Sequence, residues 1–205
     1  MPVIVVANPK GGVGKSTLAT NVAGCLAAAG HKVMLGDVDR QQSSRQWLAL
    51  RPPQLPAIVG WDVAADDIVR PPKGTTHVVL DTPAGLHGKR LEAVLRIADR
   101  MLIPLQPSLF DIQATHAFVK ALRETRRGAE IKLGLVGMRV REHTRANEQL
   151  HHYLSTLPVP VVAWLRDTQN YVQLAAHGLT LWDVAKSRVE RDLEQWAPLA
   201  AWVKA

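Results

Sequence analysis

Residues 3–17 read VIVVANPKGGVGKST, and this stretch decides the fold. Four β-branched residues come first, a glycine-rich turn closes on GKST, and an alanine-rich run with helical spacing follows. A strand, a loop and a helix in this order are the setting that a phosphate-binding P-loop requires. The turns of such a loop expose backbone N–H groups, and the helix presents its positive N-terminal end to the same phosphates. In that motif Lys15 reaches the β- and γ-phosphates, and the Ser16 hydroxyl binds Mg²⁺.

The loop departs from the general P-loop pattern at one position. A glycine is expected five positions before Gly14, but Pro9 stands there and Lys10 follows it. The string KGGVGKST, with its second lysine, resembles the deviant Walker A motif of the ParA/MinD family of ATPases. The resemblance implies an ATP-bridged homodimer in which Lys10 reaches the nucleotide of the partner subunit. It also implies an ATP-binding segment made of Lys10, Gly11, Gly12, Val13, Gly14, Lys15, Ser16 and Thr17.

Two acidic motifs at predicted strand ends are similar to the same family. The string DVDRQ begins at Asp37 and resembles the family's Asp-x-Asp-Pro-Gln motif, with Arg40 in place of proline. The resemblance implies that Asp37 orients the attacking water and that Asp39 supports the Mg²⁺ shell, while Arg40 leaves the geometry of this switch loop open. The string DTPAG begins at Asp81 after four apolar-rich strand residues, as in a Walker B element whose carboxylate holds Mg²⁺ through water. The catalytic candidates are therefore Lys10, Lys15 and Asp37, and the metal candidates are Ser16, Asp39 and Asp81.

Strand and helix patterns alternate along the whole chain. We predict strands at 32–37, 77–80, 101–105, 131–140 and 159–164, a weak strand near 58–59, and helices at 16–29, 91–98, 110–127, 146–156 and 168–177. Short helices are expected around Trp47 and after Trp61. This alternation predicts an α/β fold of the P-loop NTPase type, with a mostly parallel twisted sheet and helices on both faces. Because no linker or repeat interrupts it, we expect a single domain over residues 1–205.

Composition narrows the class of protein. Hydrophobic residues make up 47% of the 205 residues and charged residues 21%, as in a globular protein. No apolar run is long enough for a membrane span and no signal sequence precedes the first strand, so we expect a cytoplasmic protein. The one cysteine, Cys25, reads as a small buried hydrophobe, and a single cysteine excludes the iron–sulfur carriers of the same superfamily. The eight histidines show no metal-binding spacing.

The net charge of +7 is concentrated in one segment. Residues 120–145 carry eight basic and three acidic residues, and the basic ones are Lys120, Arg123, Arg126, Arg127, Lys132, Arg139, Arg141 and Arg145. Such a cluster suits a polyanion such as non-specific DNA, although a solvated helix face gives the same pattern. Arg139 also lies where the family places residues near the nucleotide base.

The string LTLWDVAKSRVERDL at 179–193 resembles the closing segment of the family. The resemblance implies DNA contacts by Lys186, Arg188 and Arg166, with an ordinary basic helix cap as the competing interpretation. Taken over nearly the whole chain, the resemblance is to short ParA-type partition ATPases without an N-terminal helix-turn-helix domain. It implies a nucleoid-associated switch that dimerises with Mg²⁺-ATP, binds non-specific DNA and positions a plasmid, chromosome or other large cargo. Slow hydrolysis, stimulated by a ParB-like partner protein, would release it.

Two alternatives from other functional classes stay open, and the sequence argues against a third. A MinD-like membrane switch needs a cationic amphipathic C-terminal helix, but residues 189–205 carry three acidic residues, and only the apolar Trp196, Leu199, Trp202 and Val203 keep this alternative open. A small-molecule ATP-dependent synthetase needs no basic surface, and no second substrate motif is present. A tyrosine kinase of the superfamily would carry a tyrosine-rich tail, whereas this chain has only Tyr153 and Tyr171.

Overall fold

A seven-stranded parallel sheet forms the centre of the computed structural model, which describes residues 1–63, 71–142 and 144–205. The strands are β1 Val3–Val6, β2 Val33–Asp37, β3 Ile58–Trp61, β4 His77–Asp81, β5 Arg100–Leu105, β6 Lys132–Val140 and β7 Val161–Arg166. Their spatial order is β3-β2-β4-β1-β5-β6-β7, and each neighbouring pair in this order is parallel. The predicted parallel sheet is confirmed.

Helices cover both faces of the sheet, as the alternating pattern predicts. They are α1 Lys15–Ala28, α2 Ser43–Ala49, α3 Gly88–Ile97, α4 Leu109–Glu124, α5 Arg126–Glu130, α6 Arg145–Leu154, α7 Asn170–Ala175 and α8 Lys186–Lys204, with a 3₁₀ turn at Leu181–Asp183. On one face α3, α4 and α6 bury residues such as Leu95, Phe118 and Leu150. On the other, α1, α2 and α8 bury Leu18, Trp47 and Trp196. The sheet therefore lies between two hydrophobic cores, one on each of its faces.

The predicted helix 110–127 is wrong at its end, because the structure divides it at Thr125. This residue has extended backbone angles (ψ 142°), so α4 stops there and α5 begins after it. The Thr125 hydroxyl donates to the Leu122 carbonyl at 2.8 Å and accepts from the Gly128 N–H at 3.0 Å, so it caps both helices. The short helix expected after Trp61 lies outside the described residues.

The order of the strands brings the three motifs to one edge of the sheet. Strand β1 lies between β4 and β5, and Val6 is in register with Asp81. Asp81 is in turn in register with Asp37 at the end of β2. Because parallel strands end at the same edge, the loop after β1 and the two acidic motifs meet there.

Two further expectations concern single features of the chain. The Cys25 side chain is buried, which confirms its interpretation as a small core residue, and this burial raises the pKa of its thiol to about 11. Among the helices of the three described ranges, none has the length and apolar character needed to cross a membrane.

Candidate active site

The loop between β1 and α1 has the backbone shape of an anion cradle. Gly12 and Gly14 have φ of +74° and +96°, in the left-handed region that favours glycine. A Cβ atom on Gly14 would also lie 2.9 Å from the Cε atom of Met138. Helix α1 starts directly after Gly14 and has no acidic residue in its first turn, so the positive end of the helix is available to an anion.

A buried asparagine, which the sequence pattern did not single out, holds this loop in place. Asn8 is fully buried, and its side-chain N–H groups donate to the Pro104 carbonyl at 2.8 Å and the Thr115 hydroxyl at 2.9 Å. Its side-chain oxygen accepts from the Lys10 N–H at 2.8 Å. Gln106 adds a second tie, donating to the Gly12 carbonyl at 2.8 Å. The loop is therefore held by β5, the residue after it and α4, through partners 94 to 107 positions later in the chain.

Lys15 lies inside the loop with its ammonium group bound by the loop itself. Its Nζ atom donates to the Lys10 carbonyl at 2.6 Å, and the residue is buried. Burial lowers the pKa of Lys15, while the nearby carboxylates of Asp81 and Asp39 act in the opposite direction. A partly desolvated cation beside open backbone N–H groups is suited to the phosphates of a nucleotide.

Asp81 presents a buried carboxylate with one oxygen bound and one left without a partner. Its Oδ2 atom accepts from the Ser44 hydroxyl at 2.7 Å, and its buried Oδ1 atom has no hydrogen-bond partner. Burial raises the pKa of Asp81 to about 6, and the neighbouring Asp37 adds to this. The Ser16 and Ser44 hydroxyls and the Lys15 ammonium oppose the rise.

A carboxylate that has an unpartnered oxygen and lies close to the Ser16 hydroxyl fits a hard cation such as Mg²⁺. Across the described ranges, no group of three or more His, Cys, Asp or Glu could hold a metal ion by itself. Mg²⁺ is usually bound by one or two protein ligands together with waters and substrate phosphates. The donor set therefore fits Mg²⁺ that arrives with a nucleotide.

Asp37 anchors the N-terminal end of α2. Its Oδ1 atom accepts from the Asp39 N–H at 2.9 Å, and its Oδ2 atom accepts from the N–H groups of Ser44 at 2.8 Å and Arg45 at 3.3 Å. Burial raises the pKa of Asp37, and these backbone hydrogen bonds oppose the rise. In this structure the carboxylate that is predicted to orient water binds the start of α2.

The predicted loop residues surround a cleft of about 550 Å³. Its lining includes Gly11, Gly12, Gly14, Lys15, Ser16, Thr17, Asp39, Gln41, Ser43, Pro83, Ala84 and Arg139. Asp37 and Asp81 are buried and do not line it, and the side chain of Val13 is also buried. Lys10 is half-buried and contributes its backbone to the loop instead of its side chain to the cleft.

Arg139 enters the cleft from a strained position. It is exposed, with φ +51° in β6, where the pairing with β7 shifts register between Gly137 and Val140. A left-handed backbone is uncommon for a residue other than glycine and often marks a functional site. Arg139 lines the same cleft as the loop, and its expected position near the nucleotide base stays a prediction.

Three arginines of the basic segment 120–145 have partners within the protein. The Arg123 guanidinium donates to the carbonyls of Gly128 and Ala129, and Arg127 donates to the carbonyls of Leu95 and Ala98. Arg141 pairs with Asp167 at 2.6 Å. Arg123 and Arg127 thus bind backbone carbonyls of helices, and Arg141 forms an exposed ion pair. Lys120 and Arg126 are exposed on α4 and α5.

The three DNA candidates differ in their surroundings. Lys186 and Arg188 are exposed in the first turn of α8. Arg166 instead turns inward, because its Nε atom pairs with the fully buried Asp192 at 2.5 Å. Asn170 donates to the same carboxylate at 2.6 Å, so this cluster fixes α8 against β7 and α7.

Comparison with known proteins also indicates a nucleotide-binding domain. The family described as the CobQ/CobB/MinD/ParA nucleotide binding domain (CbiA) matches residues 4–181. The chain is 39% identical over 116 residues to the maintenance of carboxysome distribution protein A of Gloeobacter kilaueensis, and the match covers 54% of this chain and 51% of that protein. The chain thus spans about half the length of this relative.

A second relative and a solved structure extend the match. The chromosome-partitioning ATPase Soj of Thermus thermophilus is 29% identical over 170 residues, covering 67% of this chain and 68% of that protein. The structure of apo McdA from Cyanthece superposes with a TM-score of 0.80 and 14% identity over the full length of both chains. The structural likeness supports the fold, and the sequence matches support the kinship.

Proposed function

The chain belongs to the CobQ/CobB/MinD/ParA family of nucleotide-binding domains, and on this premise we propose that it is an Mg²⁺-ATP-driven dimerisation switch that binds non-specific DNA. The observation that carries the proposal is a cleft lined by Lys15 and the positive end of α1, with the buried Asp81 and its unpartnered Oδ1 atom close behind Lys15 and Ser16. Both cores pack on one sheet, which supports a single ATPase domain over residues 1–205.

In the proposed cycle the loop binds the phosphates of ATP. The N–H groups of residues 11–17 and the Lys15 ammonium would contact the β- and γ-phosphates, which displaces Nζ from the Lys10 carbonyl. Mg²⁺ would be held by Ser16 and, through water, by Asp81, with Asp39 supporting its shell, and it would neutralise the charge that develops on the phosphates. Arg139 would contact the nucleotide from the other wall of the cleft.

Hydrolysis requires a positioned water. Asp37 would orient it, and to do so its carboxylate must release N–H groups at the start of α2. Breaking these hydrogen bonds has a cost, so slow hydrolysis that awaits a ParB-like partner protein fits the arrangement. Lys10, which does not line the cleft of its own subunit, would act on the nucleotide of the partner subunit in a homodimer.

DNA binding is assigned to the start of α8. Lys186 and Arg188 are exposed there, and dimerisation would bring two such ends onto one surface. Arg166 would support this end through Asp192 and make at most a secondary contact. The names of the two relatives concern carboxysome distribution and chromosome partitioning, which supports a role in positioning a large cargo on the nucleoid.

The position of α8 argues against the membrane alternative, because the apolar face of this helix packs inside the protein. Of the four apolar residues of α8 that leave this alternative open, Trp196, Leu199 and Val203 are buried against the sheet, and Trp202 packs partly buried on the same core. A helix whose apolar face is occupied inside the protein has little to insert into a bilayer. Liposome flotation with ATP should therefore recover the protein in the unbound fraction.

Binding to duplex DNA with ATP, with ADP and without nucleotide tests the proposal. We expect tight binding only with ATP, weakening steeply as salt rises. The double variant Lys186→Gln/Arg188→Gln should bind much more weakly and with a shallower salt dependence, by about 0.9 in log–log slope for each phosphate that it no longer neutralises. The matched control Lys120→Gln/Arg126→Gln removes the same charge and should behave as wild type. Equal binding in all three nucleotide states would contradict the switch.

Dimerisation is tested separately by sedimentation. The wild type should form a dimer with Mg²⁺-ATP and stay monomeric with ADP. Lys10→Ala should bind ATP but remain monomeric, because the lysine acts across the interface. A Lys10→Ala protein that dimerises like the wild type would remove this residue from the mechanism.

A further inference from the structure

Ser44 joins the two aspartates of the candidate site. It is fully buried in the first turn of α2, outside every motif that the sequence presents. Its backbone N–H donates to Oδ2 of Asp37 at 2.8 Å, and its hydroxyl donates to Oδ2 of Asp81 at 2.7 Å. One residue therefore holds two carboxylates that end adjacent, in-register strands.

The hydroxyl decides which oxygen of Asp81 remains available. A carboxylate can rotate and can offer either oxygen to a cation. With Oδ2 bound to Ser44, the unpartnered oxygen is Oδ1, which is buried and has no hydrogen bond. The strand fixes the Cα atom of Asp81, and the Ser44 hydroxyl fixes the rotation of the carboxylate.

The hydroxyls of Ser44 and Ser16 both act on the Asp81 carboxylate, and that of Ser44 donates to it at 2.7 Å. The Ser16 hydroxyl lies close enough to oppose the raised pKa of Asp81, but Ser16 is the candidate metal ligand and would turn toward Mg²⁺. Once Ser16 does so, Ser44 is left as the group that orients the carboxylate. Groups that orient metal ligands in this way commonly change metal affinity by about 10- to 100-fold when removed.

We propose that Ser44 is a positioning residue for the magnesium site, binding Oδ2 of Asp81 so that Oδ1 would remain available to Mg²⁺ through water. It does not touch the metal or the nucleotide. The inference rests on the proposed Mg²⁺-ATP binding and adds to it a residue that neither the motifs nor the metal-ligand set contains. Since the Ser44 N–H also donates to Asp37, the same residue holds the start of α2 beside both aspartates.

The test is a Mg²⁺ titration of nucleotide binding by the full chain, followed with a fluorescent, non-hydrolysable ATP analogue. In Ser44→Ala we expect the Mg²⁺ concentration at half-saturation to rise by about 10- to 100-fold. Binding of the analogue without Mg²⁺ should stay as in wild type, because the phosphate loop is untouched. Ser44→Thr, which keeps the hydroxyl, should restore most of the Mg²⁺ response.

Two further variants make the outcome decisive. Ser44→Cys keeps the size of the side chain but is a weak hydrogen-bond donor, so it should also raise the half-saturating Mg²⁺ concentration, and it serves if Ser44→Ala does not fold. Ser187→Ala removes an exposed hydroxyl from α8 and should leave the titration unchanged.

The possible results separate the two levels of the proposal. A folded Ser44→Ala or Ser44→Cys protein with the wild-type Mg²⁺ response would overturn the role of Ser44 and leave the proposed function standing. Wild-type nucleotide binding that ignores Mg²⁺ would overturn both. A reduced active fraction with an unchanged half-saturating Mg²⁺ concentration would mean that Ser44 serves stability alone, which also overturns the proposal.

Discussion

Arg51 and Asp183 form a two-bonded ion pair that is almost completely buried, with side chains only 5% and 2% exposed. The guanidinium nitrogens lie 2.8 and 2.9 Å from the two carboxylate oxygens, although the residues are 132 positions apart. Burial opposes the charge on Asp183, but Arg51 and Thr180 outweigh it and hold the pKa of this carboxyl below its usual value. The pair ties the end of α2 to the turn that precedes α8.

Replacing Arg51 by methionine should strongly destabilise the protein. The change leaves the Asp183 charge buried without its cation and removes the hydrogen bond from Arg51 to the Gly178 carbonyl. We expect a loss of about 3–5 kcal/mol in the free energy of unfolding, measured by urea denaturation. Arg45→Met is the matched control, because its pair with Asp62 is exposed at 67% and 92% and should matter by less than about 0.5 kcal/mol. Similar losses in both variants would contradict this account.

Asn8→Ala should damage both the stability and the phosphate loop. The change leaves the Lys10 N–H and the Pro104 carbonyl without the Asn8 side chain, at a cost of about 2–4 kcal/mol. Nucleotide affinity, measured by calorimetry, should fall at least about 10-fold because the loop loses its fixed shape. Asn21→Ala also removes a buried amide, here from the turn around Leu181, and should lower stability with a smaller effect on affinity. An Asn8→Ala protein with wild-type affinity would show that the loop needs no such anchor.

Asp37→Asn should destabilise α2 even without nucleotide. The carboxylate accepts two backbone N–H groups at the start of that helix and one, from Asp39, in the loop before it, whereas a neutral amide has only one accepting oxygen. The expected loss is about 1–2 kcal/mol in urea denaturation. Asp111→Asn changes an acidic residue in the first turn of α4 and should cost less. If Asp37→Asn were as stable as wild type, the anchoring role would be refuted.

His77 should make the folded protein less stable in acid. Burial lowers the pKa of His77 to about 4, with His31, the N-terminus and Arg100 contributing. Between about pH 6.5 and pH 4 the unfolded chain binds a proton at this position that the folded protein does not, so the contribution of His77 to stability falls as pH falls. Asp81 acts in the opposite sense in the same interval, since its raised pKa favours the protonated folded state.

Comparison with His77→Phe isolates the histidine. The free energy of unfolding of the variant, relative to wild type, should rise by about 1–2 kcal/mol as the pH falls from 7 to 4.5. His152→Phe, at an exposed position, should follow the wild-type curve. Parallel curves for wild type and His77→Phe would exclude this role for the buried ring.

The fold could be predicted because its signals are local. The apolar runs that precede Asp37, Asp81 and the glycine-rich loop around Gly12 indicate strands. The glycine-rich and acidic motifs follow these strands directly, so the sequence pattern predicts that they meet at the carboxyl edge of the sheet. The break at Thr125 escapes prediction because a cap depends on backbone angles that the helical periodicity conceals.

The supporting residues of the site could not be found in this way. Asn8 and Ser44 are small polar residues that belong to no motif described above, and only the three-dimensional structure shows that they are buried and what they bind. Arg166 matches a motif, but its partner Asp192 lies 26 residues later and turns the side chain inward. The basic segment likewise looks continuous along the chain, yet its arginines bind helix ends in different places.

The central place of β1 in the sheet also governs how the protein can be made. Residues 3–17 leave the ribosome early, but Asn8 must bind residues 96 and 107 positions later before the loop has its shape. At about 5–20 residues per second, synthesis takes roughly 5–20 s to supply that partner strand. During this time the nascent chain therefore has no shaped phosphate-binding loop. ATP in the cell can stabilise the fold only after the later strand and helix have packed against β1.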